Sequence, residues 1–178
     1  MVALSFVLAG RCFAQKTVHW RVFKVGDGSA AAVSVGPKGN VWVKNADSPE
    51  INWLDGYAAH RIPAPNADNY RVYESRSGQL WSLYPEGLLL YEYGEWARHP
   101  VNEIQGELRL NPLRQLRQIS LLPAEVNHVF FLLSDRLMEY DAALKKARVL
   151  KLAGDTKLQR VSEMQEARDG SVWISGHK

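Results

Sequence analysis

Residues 168–178 read RDGSVWISGHK, and much the same phrase is written twice earlier, as PKGNVWVKN at 37–45 and RSGQLWSLY at 76–84. Each copy places a glycine, a polar residue, an aliphatic residue and a tryptophan in that order. The tryptophans are Trp42, Trp81 and Trp173. The first two lie 39 residues apart, and the third lies 92 further on, a gap that fits two units. A worn copy, NHVFFLLSDRLMEYD from Asn127, fills it, with Asn127 for the glycine and Phe130 for the tryptophan. Asparagine tolerates the left-handed backbone of a tight turn better than most residues that carry a Cβ. The anchors Trp42, Trp81, Phe130 and Trp173 are then spaced by 39, 49 and 43 residues.

The pattern continues past each anchor. Tyr91-Glu92 follows Trp81 by ten residues, Tyr140-Asp141 follows Phe130 by ten, and Trp53 follows Trp42 by eleven. Turn signals come next (Asp55-Gly56, Gly94 and residues 141–145), then further apolar–polar alternation such as EWARHPV and ARVLKL. Each unit therefore reads as four short strands. The first strands are AAAVSV (30–35), YRVYES (70–75), RQISLL (117–122) and RVSEMQ (160–165). The second strands, NVWVK, QLWSLY, HVFFLL and SVWIS, are apolar nearly throughout, which predicts burial on both faces. The third strands are EINWL, LLLYEY and LMEYD.

Four antiparallel strands every roughly 40–45 residues is the pattern of a propeller blade. The expectation is an all-β chain, a β-propeller fragment of four-stranded antiparallel blades, about three full blades plus partial ones and no significant helix. Only Leu113–Leu121 could pass for a short helix, and it reads as a connection running into a strand. VHWRVFKV (18–25) looks like a lone fourth strand. The count runs from that strand through three complete blades to two strands of another. A ring closed this way lacks a partner for its edges, so the reading expects a C-terminally truncated segment of a longer propeller. Trp81 is expected between blades, and Asn45 in a surface connection where truncation to alanine costs little.

Composition agrees with a folded domain. The chain has 178 residues, is 46% hydrophobic and 23% charged, and carries 22 Lys+Arg against 19 Asp+Glu, a formal net charge of +3. That excess is too small to predict a nucleic-acid partner. The opening MVALSFVLAG is an apolar run of signal-peptide length, and Ala14 is placed for cleavage before Gln15, so residues 1–14 are read as a signal peptide and 15–178 as the propeller segment. Cys12 is the only cysteine. Cleavage would leave a chain without disulfides, thiol catalysis or cysteine-bound zinc.

The motif Gly-polar-aliphatic-Trp-aliphatic, followed about ten residues later by aliphatic-x-Tyr-acidic, resembles the two-component regulator propeller repeats of bacterial sensor proteins. Asp169-Gly170-Ser171-Val172-Trp173-Ile174 and Gly78-Gln79-Leu80-Trp81 carry the resemblance best, and it extends over about residues 17–178. It implies a periplasmic or otherwise extracytoplasmic sensor propeller. It also implies further blades and a membrane-anchored output, a histidine kinase or a diguanylate cyclase. A stand-alone secreted propeller serving as a binding scaffold is the alternative. A second copy of the chain is a further candidate partner.

No catalytic residue is assigned. The histidines, His19, His60, His99, His128 and His177, stand singly without metal-ligand spacing, and no calcium loop or nucleophile elbow occurs. Neither a cofactor nor a metal is expected. Propeller ligands usually meet the connections between fourth and first strands and between second and third strands. Those segments hold Asn45, Asp47, Asn69, Tyr70, Tyr84, Glu86, Arg114, Asp135, Arg136 and Asp155, side chains suited to a carbohydrate or a peptide.

Overall fold

The computed structural model describes residues 30–46, 48–65, 71–111, 116–167 and 169–178. The signal-peptide reading of 1–14 and the lone strand at 18–25 lie outside them. Three four-stranded antiparallel sheets and one two-stranded sheet follow one another along the chain. The first holds β1 (Ala30–Val35), β2 (Val41–Asn45), β3 (Glu50–Leu54) and β4 (Ala59–Pro63). The second holds β5 (Tyr73–Glu74), β6 (Leu80–Tyr84), β7 (Gly87–Glu92) and β8 (Glu95–Pro100). The third holds β9 (Ser120–Pro123), β10 (His128–Leu132), β11 (Arg136–Asp141) and β12 (Lys146–Leu152). The last holds β13 (Arg160–Glu166) and β14 (Val172–His177). Within each sheet the strands pair in chain order, as a meander. First strands of successive sheets touch one another: β1 meets β5, β5 meets β9 and β9 meets β13.

The repeated glycine is explained by backbone geometry. Gly39, Gly78 and Gly170 have φ of 84°, 93° and 84°, and Asn127, in the worn copy, has φ of 65°. All four sit in the loop between first and second strands. The loop closes the same way each time: Gly36, Ser75, Ala124 and Ala167 donate their backbone N–H to the carbonyls of Asn40, Gln79, His128 and Ser171. The left-handed residue lets the chain reverse without steric cost to its side chain.

The second strands lie inside, as their composition requires. All five residues of β6 are buried, as are four of the five in β2. The anchor aromatic sits where one sheet meets the next. Trp42 clusters with Val72 and Leu80 of the second sheet. Trp81, fully buried, shares a core with Leu121, Val129, Phe131 and Tyr140 of the third. Polar contacts fix the same interfaces. Asn40 Nδ2 and Trp42 Nε1 donate to the Glu74 carboxylate at 2.8 and 3.2 Å. Gln79 and Asn127 exchange two hydrogen bonds, Nε2 to Oδ1 at 2.8 Å and backbone N–H to Oε1 at 2.7 Å.

The fourth unit departs from the expectation. Along β14, half-buried residues alternate with exposed ones, and Trp173 is 70% exposed. Ile174 packs toward the third sheet, whereas no described residue covers Trp173, at the position where Trp42 and Trp81 meet their next sheet.

A second correction concerns helix. Residues Asn102–Leu110 form α1, against the expectation of no significant helix. Its Ile104 joins the core between the second and third sheets, and Leu108 packs against that core. Gly106 in mid-segment hid the helical period, because glycine costs about 1 kcal/mol there relative to alanine. Among its described residues, the segment read as a possible helix holds a short 3-10 turn, Leu116–Gln118, before β9.

One buried titratable group ties the second sheet to the third. His99 Nδ1 lies 3.1 Å from the Tyr140 hydroxyl. Burial pushes the His99 imidazole below its ordinary pKa; the Glu92 carboxylate opposes this and the Lys145 ammonium adds to it. The folded state therefore favours neutral His99, and the unfolded chain takes up the proton first as pH falls. Stability should be retained above about pH 6.5 and decline below it, and His99→Leu should flatten that decline. Denaturant midpoints of both proteins between about pH 7.5 and about pH 5 check this.

Burial also separates the two end tryptophans of the pattern. Trp81→Ala should cost about 3–5 kcal/mol through the cavity it leaves. Trp173→Ala in the same 178-residue chain should stay within about 0.5 kcal/mol. Urea denaturation of the two variants measures the difference.

Candidate functional site

The six described connection residues divide between buried structural positions and more open turns. Asn45 ends β2 and is buried, which corrects its expectation as a surface residue. Its carbonyl accepts the Ser48 N–H at 3.3 Å, so it shapes the turn from inside. Tyr84, also buried, ends β6, and the Arg98 guanidinium lies 5.9 Å from its ring centroid. Burial raises the Tyr84 phenol above its ordinary pKa; the Glu86 carboxylate adds to the rise and Arg98 opposes it. Glu86 is an exposed turn residue whose backbone carbonyl accepts from Val101 N–H at 2.9 Å and Gln105 Nε2 at 3.2 Å. Those bonds fasten the start of α1 to the second sheet.

Asp135 and Arg136 form a bidentate pair, Nε to Oδ1 at 2.7 Å and a second guanidinium nitrogen to Oδ2 at 2.8 Å. Asp155 turns inward on its own short helical turn, its carboxylate accepting the Leu152 N–H at 3.3 Å. Asp47, Asn69, Tyr70 and Arg114 lie outside the described residues. The structure thus brings Asp135 and Arg136 together as a pair and does not gather the described candidates into one constellation.

A different set of residues lines the principal concavity, a cleft of 1230 Å³. It opens between the second and fourth sheets, across the first strand of the third. Arg71, Arg117 and Arg160 line it from three successive units, with Asn111 from the end of α1, Ser134 from the β10–β11 turn and Trp173 from β14. Asn111 and Ser134 belong to the two kinds of connection expected to face ligand. Glu107 of α1 holds that rim in place: its carboxylate accepts from Asn111 Nδ2 at 3.3 Å and from the Ser134 N–H at 3.2 Å. Ser134 in turn accepts the Val161 N–H at 2.9 Å, docking β13 on the third sheet. Toward the far ends of β5 and β13, Arg76 pairs with Glu166 at 2.6 Å, linking the second and fourth units. None of the six described candidates lines the cleft. A signal for it was present: each of the three arginines stands at or near the start of a first-strand segment.

Among the described residues, no group of three or more His, Cys, Asp or Glu is placed to hold a metal ion. Nor is any described helix long and apolar enough to cross a membrane.

This geometry matches solved propellers. The fold is similar to virginiamycin B lyase from Staphylococcus aureus, at 12% identity and a TM-score of 0.52, over 86% of this chain and 50% of that one. It is similar to YCF48 bound to D1 peptide, at 10% identity and a TM-score of 0.57, over 85% of this chain and 48% of that one. It is also similar to the extracellular domain of the one-component system BT4673 from B. thetaiotaomicron, at 12% identity and a TM-score of 0.51, over 87% of this chain and 21% of that one. No family model and no curated protein matches the sequence. At these identities the likeness establishes the fold: the chain is a segment of β-propeller architecture, spanning half or less of each of these proteins.

The connection residues are thereby given structural work that can be measured. Tyr84→Phe should remain within about 0.5 kcal/mol of the parent, since the ring is kept. Tyr84→Ala should cost about 3–5 kcal/mol, the range for emptying a buried aromatic site. Glu86→Ala should be near neutral, because its backbone carbonyl makes the bonds. Chemical denaturation of the three variants checks the order.

Proposed function

We propose that this chain forms blades of an extracytoplasmic, ligand-sensing propeller belonging to a bacterial membrane-anchored signalling protein. Its remaining blades and its output, a histidine kinase or a diguanylate cyclase, would lie outside these 178 residues. The observation that carries this reading is the cleft. First strands of successive sheets converge on it, and the connections that propellers use for recognition form its rim. Similarity in fold to an extracellular domain of a one-component system supports the same reading. So does the apolar opening segment, which has the length and composition of an export signal.

The uncovered face of β14 supports the expectation of further blades. Trp173 is 70% exposed where Trp42 and Trp81 are 4% and 0% exposed. An additional sheet would bury it as the earlier ones are buried. The ligand would be a carbohydrate or a peptide held in the cleft. A secreted propeller acting as a scaffold uses the same fold and differs in carrying no signalling output.

Two measurements test the reading. Alkaline phosphatase fused after Lys178 should be active in bacteria, and removal of residues 1–14 should abolish that activity. An inactive fusion would overturn the extracytoplasmic placement. The complete reading frame should continue through closing blades into a membrane helix and a kinase or cyclase region. Closing strands and then a stop codon would leave the scaffold reading in its place.

A further inference from the structure

The outer edge of the third sheet differs from those of the first two. In each of these sheets the fourth strand is outermost and, among the described residues, has a neighbour on one side only. β4 and β8 both end in proline, at Pro63 and Pro100, and proline blunts an edge because it cannot donate to another strand. The end of β4 is also occupied, since Trp96 Nε1 donates to the Pro63 carbonyl at 2.8 Å. β12 has no proline and runs for seven residues, Lys146–Leu152. Leu144 in the turn before it and Val149, Leu150 and Leu152 on it are four of the eleven exposed large hydrophobic residues among the described ones, and β4 and β8 contribute none. Val149 stands opposite Met138, which belongs to the core shared with the complete second sheet. Its exposure therefore does not follow from the fourth sheet having two strands. Leu150 is the extra residue of a bulge, a feature that re-aims side chains. Leu152 borders the crevice beside the fourth sheet, where further strands of that sheet would reach it, so Leu144, Val149 and Leu150 define the patch.

Charge decides what can pair here. From Ala142 to Leu152 the chain reads AALKKARVLKL, with four basic residues and no acidic one. On the neighbouring strand Glu139 engages Arg148 and Asp141 stands opposite Lys146, whereas Lys151 stands opposite Leu137. Two copies of β12 laid edge to edge would bring their lysines together, and like charges across a strand pair are destabilising. The lysines thus guard the edge against self-pairing. The same lysines favour a strand that brings carboxylates. Main-chain N–H and C=O groups on the open side supply the hydrogen bonds of strand addition, and Leu144, Val149 and Leu150 offer apolar contact. We propose that the outer edge of β12 docks an extended polypeptide segment in which acidic residues alternate with aliphatic ones. The segment would pair along Lys146–Val149 as a fifth strand of the third sheet. β12 lines no part of the cleft, so this site is separate from it and does not depend on the ligand-sensing reading.

The test uses the protein expressed from its complete reading frame and fluorescence anisotropy with three labelled octapeptides. One alternates aspartate with valine, one alternates lysine with valine, and the third is the aspartate peptide with its amides N-methylated. The aspartate peptide should bind, with affinity falling as salt is raised, and the lysine peptide should not. N-methylation should weaken binding at least roughly tenfold, because it removes the main-chain donors and keeps every side chain. The double variant Lys146→Glu/Lys151→Glu should reverse the preference, binding the lysine peptide and rejecting the aspartate one. Both lysines are exposed, so circular dichroism and melting of this variant should match the parent. Amide exchange in β12 should slow when the aspartate peptide is bound. Failure of the aspartate peptide to bind, equal binding of the two charged peptides, tolerance of N-methylation, or an unchanged preference in the double variant would each overturn the proposal. Self-association that slows β12 exchange without peptide would make the occupant a second copy and overturn it as well.

Discussion

A four-stranded sheet of this size cannot bury itself. Its second strand is apolar on both faces, and only two neighbouring sheets can cover both. The burial of β6 between the first and third sheets is this constraint satisfied: Leu80 packs toward Trp42, while Trp81 and Leu83 pack toward Val129 and Phe131. Everything else in the architecture serves it. The meander keeps each sheet together, the left-handed loop residue sets the register of the second strand, and paired contacts such as Glu74 with Trp42 and Gln79 with Asn127 hold neighbouring sheets at the required separation. In β14, where that cover is absent on one side among the described residues, the same aromatic lies open.

Repetition explains why so much of this was legible. The glycine and aromatic anchors repeat because one turn geometry and one packing position repeat, and the substitution of Asn127 for glycine obeys the same φ requirement. First, second and third strands could therefore be placed to within a few residues. What broke the repeat was not legible. Helix α1 occupies the long connection before the third sheet, and a glycine in its middle obscures its period. Asn45 reads as a polar loop residue, yet it ends an inner strand of the first sheet and is buried. Polarity alone does not distinguish a ligand-facing residue from one that satisfies a turn.

The candidate site shows the same division. Two of the connection segments contribute to the cleft, through Asn111 and Ser134. The individual side chains did not follow, because Tyr84, Asp135 and Asp155 are engaged locally. The arginines that line the cleft belong to the starts of inner strands, positions whose meaning depends on three sheets converging. Sequence spacing within one repeat carries no information about that convergence. Glu107 is a further case: a helical carboxylate reaching the rim through Asn111 and Ser134 has no sequence pattern of its own.

Backbone amide exchange of the intact 178-residue chain tests the central claim most directly, because it reads the cover of each second strand separately. Amides of β6, enclosed by sheets on both sides, should exchange slowest, those of β10 next, and those of β14 markedly faster. Equal protection of β6 and β14, or faster exchange in β6, would show that the second strands do not lie between successive sheets and would contradict the blade architecture described for this chain.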